Sequence, residues 1–245
     1  MMRVAFACLL ACAPQEEASS AAIDPSTLVL PSSTSAIEAN ADLPTVILTK
    51  TKLLLVGLPR DWMNVPIGIG DMDGPIIVPL RAWLKDPSVQ GHHDIAIAFD
   101  SDVTAQTAMQ VMATCIEAGL NSFHLAVSKS GMTAQIPLEF GKPDPPGARA
   151  ITASIFHNGV IIKVPEGTVG PGCEALGEGV TISRLDGLIA RDRLEKCVAH
   201  VHAAYKTTTA SLLVTKDTEF HEVVTLLDAL RKDASTEAIS LGISN

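Results

Sequence analysis

The stretch Asp94–Ser128, DIAIAFDSDVTAQTAMQVMATCIEAGLNSFHLAVS, decides the fold. It opens on an apolar run, Ile95 to Phe99, of the length that suits a buried strand, and then enters a polar turn. A helix-period pattern follows in Ala108, Val111, Met112 and Cys115, and Gly119 is placed to end that helix in a left-handed conformation. Phe123, Leu125 and Val127 then alternate with polar or small residues, the period of a strand. Ala210–Ser244, ASLLVTKDTEFHEVVTLLDALRKDASTEAISLGIS, aligns with this stretch without a gap at a spacing of 116 residues. Its strand run is Leu212 to Thr215, its helix pattern Phe220, Val223, Val224, Leu227 and Leu230, and its last strand Ile239, Leu241 and Ile243. In this alignment Ala108 falls on Val224 and Val111 on Leu227, and four positions are identical: Ala113/Ala229, Ala118/Ala234, Leu125/Leu241 and Ser128/Ser244.

Each copy is preceded by a similar front. Val46 to Leu55 (VILTKTKLLL) reads as two strands around a tight turn, and Ala153 to Ile162 (ASIFHNGVII) carries Asn158-Gly159, a strong hairpin signal. Leu80 to Leu84 and Leu185 to Val201 read as helices. The expected unit is hairpin, helix, strand, helix, strand, present twice. The Pro/Gly-rich run Lys142 to Gly147 (KPDPPG) marks a boundary between the copies. The chain is therefore expected to be α+β, with similar domains at 44–128 and 151–245, a linker at 129–150, and two pieces that fold separately when cut there. Residues 13–43, rich in Ser, Ala and Pro, read as a flexible tether.

The composition excludes several classes. A chain of 245 residues with 47% hydrophobic and 18% charged residues is globular rather than disordered, and long enough for two small domains. A net charge of -9 argues against nucleic acid as a partner, since phosphate binding needs clustered cations, and 4% aromatics leave little for base stacking. Mean hydropathy is +0.29, yet the longest apolar run, Val4 to Ala13, is half the length of a membrane-spanning helix.

Residues 1–12 instead read as a short secretory signal, and Leu9-Leu10-Ala11-Cys12 resembles the lipobox of bacterial lipoproteins. That resemblance implies lipidation of Cys12 and, with Ala13 following, transport to the outer membrane. The alternatives are an ordinary signal cut after Cys12 or later, or the end of a longer signal.

The run IAIAFDSDVTAQTAMQVMATCIEAGLNSFHLAVS, with its relative SLLVTKDTEFHEVVTLLDALRKDASTEAISLGIS, resembles the periplasmic domain of the ExbD/TolR biopolymer-transport family. Asp100 or Asp102 in the first copy and Asp217 in the second occupy that family's acidic turn. The resemblance implies a small mixed sheet with two helices on one face, dimerisation, and a place in proton-driven envelope machines beside an ExbB/TolQ-type partner. It also implies a membrane helix bearing a proton-relay Asp, for which this sequence has no candidate. The expectation is an exported interaction or scaffold protein that meets such a motor or peptidoglycan, touching the membrane only through a lipid.

Enzyme signatures are weak. Gly172 to Gly177 has the glycine spacing of a phosphate loop, but Glu178 stands where a Lys is needed. Gly68, Gly70 and Gly74 around Asp71 and Asp73 outline the start of a calcium loop without its closing Glu. No G-x-S-x-G elbow is present, and Cys115 lies on the inner helix face. No catalytic, cofactor or metal residue is expected. The alternative is an envelope enzyme or metal binder built from the loop histidines His92, His93, His200 and His202. Export also places Cys173 and Cys197 in an oxidising compartment where two Cys of one domain pair; otherwise Cys197 is a plain apolar helix residue.

Overall fold

The computed structural model describes residues 28–40, 42–50, 52–56, 62–66, 72–87, 89–139, 147–232 and 238–243. The protein is a mixed α+β structure of two principal sheets. The first half contains β1 (Ile37–Glu38), β2 (Thr45–Leu48), β3 (Lys52–Val56), β4 (Trp62–Pro66), a small ladder of β5 (Met72–Asp73) and β6 (Ile76–Ile77), α1 (Val78–Leu84), β7 (Asp94–Phe99), α2 (Ala105–Glu117), β8 (Ser122–Lys129) and β9 (Met132–Glu139). The second contains β10 (Ala150–Phe156), β11 (Gly159–Val164), β12 (Gly167–Thr168), β13 (Ile182–Leu185), β14 (Leu188–Ile189), α3 (Arg191–Tyr205), β15 (Thr209–Val214), α4 (Phe220–Arg231) and β16 (Ala238–Ile243).

The sheets run β1-β9-β8-β7-β2-β3-β4 and β14-β13-β11-β10-β15-β16. The path β3-β2-β7-β8 in one is the path β11-β10-β15-β16 in the other, with an antiparallel hairpin followed by two parallel neighbours in each. The central strands are buried on both faces, which is why DIAIAF and KLLLV read as near-continuous apolar runs instead of alternating. The hairpins correspond at an offset of 107 residues, Val46 facing Leu55 as Ala153 faces Ile162. From Asp94/Thr209 through Ala105/Phe220 the offset is 115, and only at Ser122/Ala238 does it become 116. The gapless alignment is therefore one residue out along the strand and helix. Ala108 corresponds to Val223, Val111 to Leu226, Met112 to Leu227 and Cys115 to Leu230, all buried.

The halves do not keep separate cores. One cluster of buried side chains runs from Val46 and Leu55 through Phe99 and Met112 to Val223, Leu227 and Ile239, and the rings of Phe99 and Phe220 meet at 4.4 Å in an edge arrangement. Around this contact the backbone is exchanged reciprocally. Ala105 and Gln106 donate their N–H groups to the carbonyls of Thr218 and Lys216 at 2.7 and 3.1 Å, and Phe220 and His221 donate to Val103 and Ser101 at 2.8 and 3.1 Å. The two pairs map onto each other at the offset of 115. The first N–H groups of a helix have no intrahelical partner, so each half caps the other's second helix. Farther along α4, Arg231 Nη1 donates to the carbonyl of Pro137 in β9 at 2.6 Å.

Three expectations change. The helix expected from Leu185 starts only at Arg191, because Asp186 and Gly187, at φ 50° and 80°, turn β13 into β14. The stretch expected as a linker from 129 begins with a second such turn at Ser130-Gly131, which feeds β9, antiparallel to β8 over eight residue pairs. Most of KPDPPG lies outside the described residues. The third is the tether. Residues 1–27, Cys12 among them, also lie outside the described residues, but Leu28 to Asn40 is bound to the body. Leu28 and Leu30 pack on the outer face of the first sheet against Ile47, Leu54, Val56, Ala98 and Ala126. Ser33 N–H donates to Ser128 O at 2.8 Å, and β1 pairs with β9. No helix among the described residues is long and apolar enough to cross a membrane.

Candidate functional site

Chemistry-bearing side chains gather at three places. The first is the joint where the acidic turn of the first half meets the start of α4. Lys50 Nζ lies 2.5 Å from Asp102 Oδ2, and His221 Nδ1 lies 3.3 Å from both Ser101 O and Glu219 Oε2. Burial and the neighbouring Asp102 raise Asp100 above the ordinary carboxylate value, while the Asp102 hydrogen bond and charge raise Lys50. For Asp100 the sign follows from its raised value: the neutral form suits the fold. Its contribution is full below the unfolded carboxylate's pKa and is lost as pH rises through the folded one. Asp217, the expected acidic residue of the second copy, sits in the equivalent turn, but it is Lys216 O and Thr218 O that face the partner half.

The second place is a clasp that no sequence pattern announces. Asp228, on α4, is 0% exposed. Ser33 Oγ and Ser35 Oγ donate to its Oδ1 at 2.6 and 2.7 Å, Thr34 N–H donates to Oδ2 at 2.8 Å, and Arg191 Nη2 lies 3.3 Å from Oδ2. The same Arg191 nitrogen donates to Ser32 O at 2.9 Å. A carboxylate so supplied is tolerated in an apolar setting because its lone pairs are taken. The available signal was an Asp interrupting the apolar pattern Val224, Leu227, Leu230; its partners Ser33, Thr34 and Ser35, nearly 200 residues away, had none.

The third is a groove of about 400 Å³ between α3 and the loop around Pro171–Cys173. Cys173 and Cys197 form a disulfide there, with Cα atoms 5.3 Å apart. The loop is fixed by more than the disulfide. Thr181 Oγ1 donates to Val169 O and accepts from Ile162 N–H, and Gly170 packs so close that a Cβ would lie 2.7 Å from Ala175 O. Reducing the disulfide, which joins residues 24 apart, should lower stability by about 3 kcal/mol. Urea midpoints with and without reductant measure this, and equal midpoints would mean that the loop is held by its other contacts alone.

The candidate metal histidines are not brought together. His92 and His93 line a cavity beside the C-terminal end of α2, in the first half, and His200 lines the groove on α3. His202 is buried, its Nδ1 hydrogen-bonded to Thr207 Oγ1. Among the described residues no three His, Cys, Asp or Glu side chains are grouped so as to hold a metal ion. Of the calcium-like stretch, Gly68, Gly70 and Asp71 lie outside the described residues, and Asp73 faces Arg81 at 3.4 Å. Glycines 172 and 177 belong to the groove loop, where Gly177 N–H donates to Thr168 O. Burial pushes the Cys115 thiol up to about 12, so it is no nucleophile at neutral pH. No protein-family model matches the chain, and no curated protein matches it in sequence.

Proposed function

We propose that the chain is a binding module of the bacterial cell envelope, similar to two fused copies of the periplasmic unit of ExbD/TolR proteins, and not a catalyst. The observation that carries this is the repeated path of hairpin and parallel strands, closed by helices that cap each other across a local two-fold. Where separate copies of such a unit would dimerise, one chain here supplies both. The disulfide supports export to an oxidising compartment, and the lipobox-like Leu9-Leu10-Ala11-Cys12 supports attachment to the outer membrane through Cys12. The expected partners are an ExbB/TolQ-type motor assembly or peptidoglycan.

The test is affinity capture from envelope membranes with the full-length chain, read by mass spectrometry and by sedimentation with purified peptidoglycan. Reproducible enrichment of motor components, or co-sedimentation with peptidoglycan, is expected, and neither appearing would end the reading. In parallel, Cys12→Ala should move the protein from the membrane to the soluble periplasmic fraction or leave an uncleaved precursor. Unchanged membrane fractionation of a correctly processed variant would remove the lipid anchor.

A further inference from the structure

The second half departs from the first between its hairpin and its first long helix. Residues 165–190 there build a loop and the β13–β14 hairpin, and the helix that follows, α3, has 15 residues where α1 has 7. The loop is joined to α3 by the Cys173–Cys197 bond and braced from within by Thr181 and by the close approach of Gly170 to Ala175. Arg184 secures the neighbouring hairpin by a bidentate pair with Glu222 on α4 and by donating to Phe156 O. A rigid loop spends conformational freedom in advance, and what it encloses is a pre-formed groove.

The groove has an apolar base and a cationic rim. Cys173, Cys197 and Ile182 are buried, whereas Arg193, Lys196 and His200 on α3 are exposed around it, with Glu174 opposite. Every other described arginine is engaged: Arg81 with Asp73 and Glu117, Arg149 with Glu166, Arg184 with Glu222, Arg191 with Asp228, and Arg231 with Pro137 O. Among the described residues, neither Arg193 nor Lys196 has a carboxylate partner. The nearby acidic side chains of α3 lie off the groove itself: Glu195 pairs with Lys232, and Asp192 lines with them a neighbouring depression that borders the groove at Lys196. In a chain of net charge -9, this is a local reversal of sign.

We propose that this groove docks an extended acidic peptide segment of a partner protein, a proposal that rests on the chain being a binding module. Spacing favours a peptide over a single anionic group. Residues at 193, 196 and 200 follow one helix face, and at 1.5 Å per residue they span roughly 10 Å. An extended strand carries same-side residues about every 6.6 Å, so carboxylates at alternate positions come within reach of Arg193 and Lys196, about 4.5 Å apart along the helix axis on long side chains. The intervening apolar side chains lie toward the disulfide and Ile182.

The experiment uses the full-length chain and a fluorescein-labelled five-residue peptide of alternating Glu and Leu, read by anisotropy. Saturable binding is expected, weakening as salt rises from about 0.05 M to about 0.3 M because the pairs are exposed. The same peptide with Gln for Glu should bind at least about tenfold more weakly. Two partly exposed ion pairs are together worth about tenfold in affinity, so the double variant Arg193→Gln and Lys196→Gln should lose about that factor. Lys163→Gln, an exposed cation on β11 away from the groove, should lose none. The single variants serve if the double one lowers the thermal midpoint. Absence of binding, equal affinity for the Glu and Gln peptides, an unaltered affinity in the variants, or preferential binding to phosphatidylglycerol vesicles would each overturn the proposal. If the peptide fails while envelope capture by the wild-type chain succeeds, the groove assignment falls and the binding-module reading stands.

Discussion

Asp228→Ala should lower the stability of the folded chain by about 3–5 kcal/mol, the loss typical of breaking a buried, hydrogen-bonded charge cluster by removing one member. The carboxylate is fully buried and accepts from Ser33 Oγ, Ser35 Oγ and Thr34 N–H, with Arg191 beside it. Ser35 N–H also donates to Oδ1, at 3.4 Å, so removal of the carboxylate leaves two hydroxyls and two amides without an acceptor and one guanidinium short of its counter-charge. Asp228→Asn keeps the volume and one acceptor oxygen, and its expected cost is about 1–3 kcal/mol. The loss should be local before it is global. Leu28 to Glu38 is held by this clasp, by the Ser33–Ser128 bond and by two residue pairs between β1 and β9. Hydrogen exchange at Thr34 and Ser35 should therefore rise in both variants under conditions where β7 and β15 remain protected. Unchanged exchange there, with an unchanged urea midpoint, would show that Leu28 and Leu30 on the sheet and the backbone bonds to Ser128 and β9 hold the segment without the clasp.

The contrast between what was readable in the sequence and what was not has one physical origin. Elements whose stability is written into a local period were legible: VILTKTKLLL and ASIFHNGVII as hairpins, Ala108, Val111, Met112 and Cys115 as one helix face, and the alternation at Phe123, Leu125 and Val127. The one-residue slip arose because the extra residue lies between α4 and β16, where a gapless comparison resting on four identities has no means of placing it. Pro31-Ser32-Ser33-Thr34-Ser35 reads as a tether because its order comes from Asp228 and Arg191, far along the chain, and not from its own residues. The same holds for the helix caps. Glu219, at the start of α4, makes no side-chain cap bond, a defect by local rules, because the main-chain donors of that turn are met by Ser101 and Val103 of the other half. Sites assembled from long-range partners are where sequence periodicity carries least information, and the clasp is of that kind, whereas the groove, closed by cysteines 24 residues apart, was legible in part from Cys173 and Cys197.

Phe220→Ala should cost about 3–5 kcal/mol, a large share of the stability of an ordinary domain. The ring is 1% exposed at the first turn of α4, against Phe99 at the end of β7, beside the four reciprocal backbone hydrogen bonds. Truncation opens a cavity between the halves rather than within one of them, so the damage should appear as lost coupling. Wild type should unfold in a single transition, with tertiary and secondary signals coincident. Phe99→Ala should behave like Phe220→Ala, and the double variant should lose less than the sum of the two by about 0.5–1.5 kcal/mol, the range measured for aromatic pairs. The same contacts determine what happens when the halves are made as separate chains of residues 28–139 and 147–243. Each would expose its side of the shared apolar cluster and leave the first N–H groups of α2 or α4 uncapped. In place of the separate folding expected from the KPDPPG boundary, each is expected to be unfolded or aggregated alone and to regain native circular dichroism when mixed or co-expressed. Two pieces that fold independently, with additive Phe99 and Phe220 losses, would show that the mutual capping is an adhesion between finished domains and not part of the folding unit.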